Sequence, residues 1–344
     1  MKTTMNNIKN LFRKSSFALI IAVAFIAASC EEEEMLQPAS NEQELMDIPS
    51  TLNAISENPE NYISENSKLK IDVRSPFWEY QFMYLRMALE ETGLIGTVMR
   101  EQLTVFAPTD KAFENLLKTL GVGDLSEIPA DLLKDVLLYH TVNGKVYSSS
   151  LSDGYYRTVN GASLKIDLTS GVKINTSRVT MADINALNGV IHVIDEVMLP
   201  PTIVDLAMAN DNFSILVQAV AKAGLVETLQ SRDYTVFAPT NDAFIALLDE
   251  LGASSLDDVP VDRLTEILLY HVVPGSIYSK DLPAEPLKVI AANGDEFTVD
   301  VTSPKIRDIR NRDASITLVD ISGTNGVIHA IDRVIIPFFR ELSR

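Results

Sequence analysis

The chain has 344 residues, 46% of them apolar and 22% charged, a composition that folds instead of staying disordered. Its formal net charge of -18 repels phosphate backbones and anionic lipid surfaces, which argues against nucleic-acid binding and electrostatic docking on a membrane. Cys30 is the only cysteine, so no intramolecular disulfide can form.

In chain order, Lys9, Arg13 and Lys14 precede an apolar run from Phe17 to Ala28. The run is long enough for a signal-peptide core and short for a stable membrane span. It ends Ile26-Ala27-Ala28-Ser29-Cys30, which resembles a bacterial lipobox. The resemblance implies a signal peptide over 1–30, with Cys30 lipidated. The acid run Glu31 to Glu34 that follows resembles the surface-export signal of Bacteroidota lipoproteins, and a plain solvated charge run is its other reading. Residues 31–75 are polar, with Pro38, Pro49 and Pro59 and no sustained period. They read as a tether; helical turns around Leu52 to Tyr62 fit the pattern, but a segment this polar has little apolar area to offset its ordering entropy.

From about residue 76 the pattern becomes that of a folded domain. Phe77, Trp78, Tyr80, Phe82 and Tyr84 form an aromatic cluster, suited either to packing or to stacking on a sugar or a protein partner. Phe82, Leu85, Ala88 and Leu89 recur at helical spacing until Gly93 closes the helix. Thr104-Val105-Phe106-Ala107 predicts a short buried strand stopped by Pro108, after which Thr109 caps a helix over Lys111 to Leu120. Ala130 to His140 predicts a helix with Leu133, Val136, Leu137 and His140 on one face, ending in Tyr139-His140. Beyond it, Ser163–Leu168, Val172–Asn175 and Val179–Met181 alternate as strands do. Asn188-Gly189 then reads as a hairpin turn that tolerates positive φ, launching a strand over Val190–Asp195.

Every landmark then returns. Thr235-Val236-Phe237-Ala238-Pro239-Thr240 lies 131 residues after its first copy, as His271 lies 131 after His140, while His329 lies 137 after His192. The chain is therefore a tandem repeat, with domains at 76–200 and 201–340 and a net six residues gained in the second domain's strand region, where loops absorb them. Ile203-Val204-Asp205-Leu206-Ala207 opens the second domain with an apolar lead-in that has no equal near Ile71 to Pro76.

Three separated motifs coincide twice: Thr-Val-Phe-Ala-Pro-Thr with its Ala-Phe, Tyr-His at a helix end, and Asn-Gly-Val-Ile-His with its Ile-Asp. Together they resemble the fasciclin-1 (FAS1) family. The resemblance implies an α+β fold, each domain a β-sandwich or wedge with helices packed on it, in an extracytoplasmic protein that adheres or binds ligands instead of catalysing. It also links the Tyr-His region to receptor binding, which maps to Tyr139, His140, Tyr270 and His271. The sequences after the motif differ, Thr141-Val142-Asn143-Gly144 against Val272-Val273-Pro274-Gly275, so the two copies need not use partners equally.

The residues themselves suggest little chemistry. His192 and Asp195, like His329 and Asp332, are three apart on a strand, which sends them to opposite faces, and the sequence offers no further metal ligands for His140 with His192. His140 and His271 on apolar helix faces fit equally a hydrogen-bonded core position that fixes helix to sheet. No Gly-x-Ser-x-Gly block, P-loop or dinucleotide glycine pattern occurs. No enzyme, cofactor or metal is expected. The expectation is a lipid-anchored outer-membrane protein facing the cell exterior, binding extracellular or outer-membrane protein or glycan partners through both domains. The candidate contacts are Tyr139, His140, Tyr270, His271 and Trp78. The alternative is an accessory subunit of an outer-membrane glycan or nutrient importer.

Overall fold

The computed structural model describes residues 45–62 and 81–339. Cys30 and the segment around it, and Phe77, Trp78 and Tyr80, lie outside the described residues. The first domain runs α1 (Ile48–Glu57), α2 (Met83–Glu91), α3 (Ile95–Arg100), β1 (Leu103–Pro108), α4 (Asp110–Leu120), α5 (Ala130–Tyr139), β2 (Thr141–Asn143), β3 (Gly154–Arg157), β4 (Ser163–Asp167), β5 (Lys173–Ile174), β6 (Ser177–Ala186) and β7 (Gly189–Ile194). Local signals set these bounds. The Thr109 side chain accepts from Ala112 N–H at the start of α4, and Gly121 ends that helix in the left-handed region at φ 71°.

The seven strands form one mixed sheet in the order β2-β1-β7-β6-β5-β4-β3. β1 is buried at all six positions because it lies between parallel β7 and antiparallel β2. On one face Val105, Ala107, Ile191 and Val193 pack under the helices with Phe113 and Leu133. On the other, Phe106 of β1 meets Leu164 and Ile166 of β4 in a second core, although β7, β6 and β5 separate these strands within the sheet. The sheet must therefore bend back on itself, and β6 is where it does so. Its register with β7 shifts twice, between Val179 and Met181 and between Met181 and Ile184, with Asp183 at φ 61°.

The second domain repeats the plan with α6 (Ile203–Met208), α7 (Ser214–Lys222), α8 (Val226–Gln230), β8 (Tyr234–Pro239), α9 (Asn241–Leu251), α10 (Val261–Tyr270), β9 (Val272–Pro274), β10 (Leu287–Ile290), β11 (Glu296–Asp300), β12 (Lys305–Arg307), β13 (Asp313–Gly323) and β14 (Gly326–Ile331). Its sheet order, β10-β11-β12-β13-β14-β8-β9, is the same path, again with two register shifts in the long strand and Asp320 at φ 62°. Each domain is thus α+β, a bent mixed sheet with helices on one side. The two touch directly. Ser322 N–H donates to Ser163 Oγ at 2.9 Å in a buried position, Asn210 Nδ2 donates to Tyr155 Oη at 3.3 Å, and the Arg157 guanidinium lies 4.4 Å from the Tyr278 ring centre.

Two expectations need correction. Residues 31–75 are not tether throughout, because α1 belongs to the first domain's core, with Ile48, Leu52 and Ile55 at 5% exposure or less. These three share one helical face, and that face buries enough apolar area to order a segment that is otherwise polar. Asp47 caps the helix by accepting from Ser50 N–H. α1 is also the counterpart of the apolar lead-in α6 that the first domain seemed to lack; it stands farther upstream, separated from α2 by a longer stretch of chain.

The second correction concerns the turn. Ala186 pairs with Gly189, so Leu187 and Asn188 occupy the turn and Gly189 is already in β7. Gly189 is required by contact and not by positive φ: a Cβ there would stand 2.1 Å from Leu103 O; on Gly326, which also sits at φ 144°, a Cβ would stand 2.0 Å from Tyr234 O. Asn188 works as a clamp. Its Oδ1 accepts from Ile48 N–H at 3.1 Å, and its Nδ2 donates to Val98 O at 2.6 Å and Glu101 O at 3.0 Å. Asn325 does the same for α6 and α8, accepting from Ile203 N–H and donating to Leu229 O.

Candidate functional site

Tyr139-His140 and Tyr270-His271 end α5 and α10, where the last helical carbonyls need partners. His140 Nε2 accepts from Met198 N–H at 2.9 Å. A backbone N–H can only donate, so the ring proton sits on Nδ1, which donates to Val136 O at 2.7 Å. His271 repeats this with Ile335 N–H at 3.0 Å and Ile267 O at 2.8 Å. Each ring therefore ties a helix end to the segment that leaves the last strand. Burial pushes both imidazoles down to about 4, outweighing the backbone carbonyl each donates to and, for His271, the nearby Asp308 carboxylate.

The tyrosines point into the second core. Tyr139 is fully buried; its hydroxyl donates to Ser163 O at 2.9 Å and accepts from Asn175 Nδ2 at 2.9 Å. Tyr270 donates to Glu296 O at 2.8 Å and accepts from Ile309 N–H at 3.1 Å. Burial raises both phenols to about 12, so neither supplies a phenolate near neutrality. Of the aromatic cluster, Phe82 is buried and Tyr84 stacks on Phe113 at 6.0 Å between ring centres. Both described members pack; Trp78 lies outside the described residues.

The strand histidines take the opposite tautomer. His192 Nδ1 accepts from Asp183 N–H at 3.3 Å, so Nε2–H donates to Val146 O at 2.9 Å, with the ring stacked 5.6 Å from Phe106. His329 does likewise with Asp320 N–H, Ile277 O and Phe237. Burial lowers both imidazoles below their ordinary value. His329 Nδ1 lies 4.0 Å from Asp320 Oδ1, but a neutral ring forms no ion pair there. Asp183 holds Ser148 through its N–H and hydroxyl, and Asp320 holds Ser279 the same way. Asp195 instead accepts from Arg178 N–H and Asp332 from Ser315 N–H, so the strand histidine and the aspartate three residues on serve separate ends of β7 and of β14. Among the described residues no group of three or more His, Cys, Asp or Glu is placed to hold a metal ion.

Residues 80–200 and 211–337 each match the family model of the Fasciclin domain. The chain belongs to the fasciclin family. Protein sll1483 of Synechocystis sp. is 42% identical over 137 residues, 40% of this chain and 73% of that protein. Transforming growth factor-beta-induced protein ig-h3 of Oryctolagus cuniculus is 30% identical over 251 residues, 69% of this chain and 35% of that protein, so the chain spans about a third of that relative's length. A cell surface glycolipoprotein of Mycobacterium bovis is 31% identical over 112 residues, 32% of this chain and 50% of that protein. Among the described residues no helix is long and apolar enough to cross a membrane.

The fasciclin motif histidines thus lie in the cores, and the sequence reading missed the residues that work with them. Asp183 and Asp320 recur 137 residues apart as His192 and His329 do; Asn188 and Asn325, read from the sequence as turn residues, share that offset but clamp helix ends instead. That shared offset was the available signal.

Proposed function

We propose that this fasciclin chain is a lipoprotein, anchored through acylated Cys30, whose paired domains bind protein or glycan partners outside the cell. The observation that carries the reading is the tandem fasciclin pair itself, with direct contacts between its domains. Such a pair offers two presenting surfaces at a set separation, so engagement of the second becomes effectively intramolecular. The likeness to a cell surface glycolipoprotein supports the placement.

In this reading Tyr139, His140, Tyr270 and His271 act from beneath the surface. By holding the ends of α5 and α10 they set the backbone at Asn143 and Pro274, where the two domains differ in sequence and the chain is exposed. Trp78 is the candidate for direct stacking. Recognition rests on shape and apolar contact, because the acidic field opposes anionic partners.

The test is a binding screen of the purified chain against matrix proteins, glycans and envelope extracts, with palmitate labelling of the wild type and Cys30→Ser in cells. Saturable binding reduced by Trp78→Ala at unchanged stability, together with Cys30-dependent labelling, is the expected result. Absence of binding to all three classes refutes the interaction role, and labelling that survives Cys30→Ser refutes the anchor.

A further inference from the structure

Each domain contains a cavity of 270 Å³ at the same place in the fold, where its first helix closes over the next two helices and the sheet. In the second domain the depth of the cavity is lined by Leu216, Leu225, Leu229, Leu268 and Ile328, all buried. Its rim is Met208, Val217, Ala221 and Val226 on α6, α7 and α8, with Met208 at 65% exposure. The one polar side chain in the lining is His271, and both of its nitrogens are already engaged, by Ile267 O and by Ile335 N–H. A water molecule entering would find no partner, so the space takes hydrocarbon or stays dry.

The first domain differs on the equivalent face of its helix α2. The positions equivalent to Val217 and Ala221, 131 residues earlier, are Arg86 and Glu90, whose charged groups lie 3.8 Å apart on α2. Its lining also includes the polar residues Thr97, Glu101 and Asn143. The two cavities are equal in volume and unequal in chemistry. Only the second domain opens between apolar side chains alone.

We infer that the second fasciclin domain binds a single unbranched acyl chain, inserted between α6, α7 and α8 with its polar head left outside. A partner's helix or strand would not reach the buried lining, whereas a chain one methylene wide would. Apolar cavities of about 150 Å³ already take benzene, and 270 Å³ holds about nine carbons at roughly 30 Å³ each. The site supplies no counter-charge for the head group, so alcohols and acids bind alike and chain length decides affinity.

The test titrates the full chain with dansyl-undecanoic acid and competes it with a series of n-alcohols. One site per chain is expected, with competitor affinity rising about fourfold per methylene, as apolar transfer requires, and levelling near nine or ten carbons. The paired substitution Val217→Arg with Ala221→Glu copies the first domain's charged pair onto the second domain's rim and should weaken binding at least tenfold, while Glu90→Trp in the first domain should not. Ala221→Trp, which plugs the rim from an exposed position, is the second probe if the paired variant is unstable, and urea melts establish that each variant is folded. Competition by phosphatidylcholine vesicles would identify the source as membrane lipid; its absence would identify a free amphiphile. Absent or unsaturable binding, affinity indifferent to chain length, or binding untouched by folded rim variants overturns the inference, as does a loss caused equally by Glu90→Trp.

Discussion

Lowering the pH from 7 to 5 should destabilise this protein through its buried histidines. His140 and His271 titrate near 6.5 when unfolded and about 4 when folded, because burial opposes their charged forms. The folded state therefore binds fewer protons throughout that window. Stability is fully present above about 6.5 and is lost as the pH falls toward 4. The complete shift corresponds to on the order of 3 kcal/mol per ring, of which about 2 kcal/mol falls between pH 7 and pH 5. His192 and His329 are displaced the same way by the same cause and add to the loss. The lowered carboxylates act elsewhere: Asp124, Asp167, Asp300 and Asp313 all titrate below their ordinary range, so their protonation contributes only under more acid conditions. Urea unfolding followed by far-ultraviolet circular dichroism at pH 7, 6 and 5 measures the effect. His140→Gln should cost about 1–2 kcal/mol at pH 7, where a hydrogen bond is lost, and should remove about one proton from the pH dependence of the first domain. Stability that is flat or rising from pH 7 to pH 5, or a proton uptake unchanged in His140→Gln, would refute the buried neutral assignment.

The remaining predictions concern the clamp and the close approaches. Asn188→Ala strands Ile48 N–H, Val98 O and Glu101 O at once, and should cost about 3 kcal/mol while opening α1 to limited proteolysis. Gly189→Ala and Gly326→Ala drive a methyl group into the carbonyls of Leu103 and Tyr234, and each should lower stability by about 3 kcal/mol or more, read as a fall in melting temperature. A chain beginning at residue 45 should melt as the full chain does, whereas one beginning at residue 76 loses α1 from the core and should melt lower. Equal melting of the two truncations would return that segment to the role of a tether.

Much of this architecture is local and could be read before folding. The Thr109 and Thr240 caps and the left-handed Gly121 and Gly252 depend on neighbours within a few residues, so their types and spacings announce them twice. The family followed from that duplication. The core position of the motif histidines was open as one of two readings, because an imidazole on an apolar helix face looks the same in sequence whether it is sealed or presented.

What the tertiary structure alone decided are the relations between segments far apart in the chain. α1 lies far from the hairpin in sequence, and only its burial in the core and its contact with Asn188 show that it is a core helix and not a tether. The asparagine and glycine of the turn looked like residues chosen for backbone freedom; packing gives one to clamping helices and the other to making room for a neighbouring carbonyl. The difference between Arg86–Glu90 and Val217–Ala221 acquires meaning only once the apolar pair is seen at the mouth of a cavity. Periodicity and capping are encoded along the chain because they act over one helical turn or one strand. Close approach, enclosure and burial are set by which distant surfaces meet, and no local pattern carries that information.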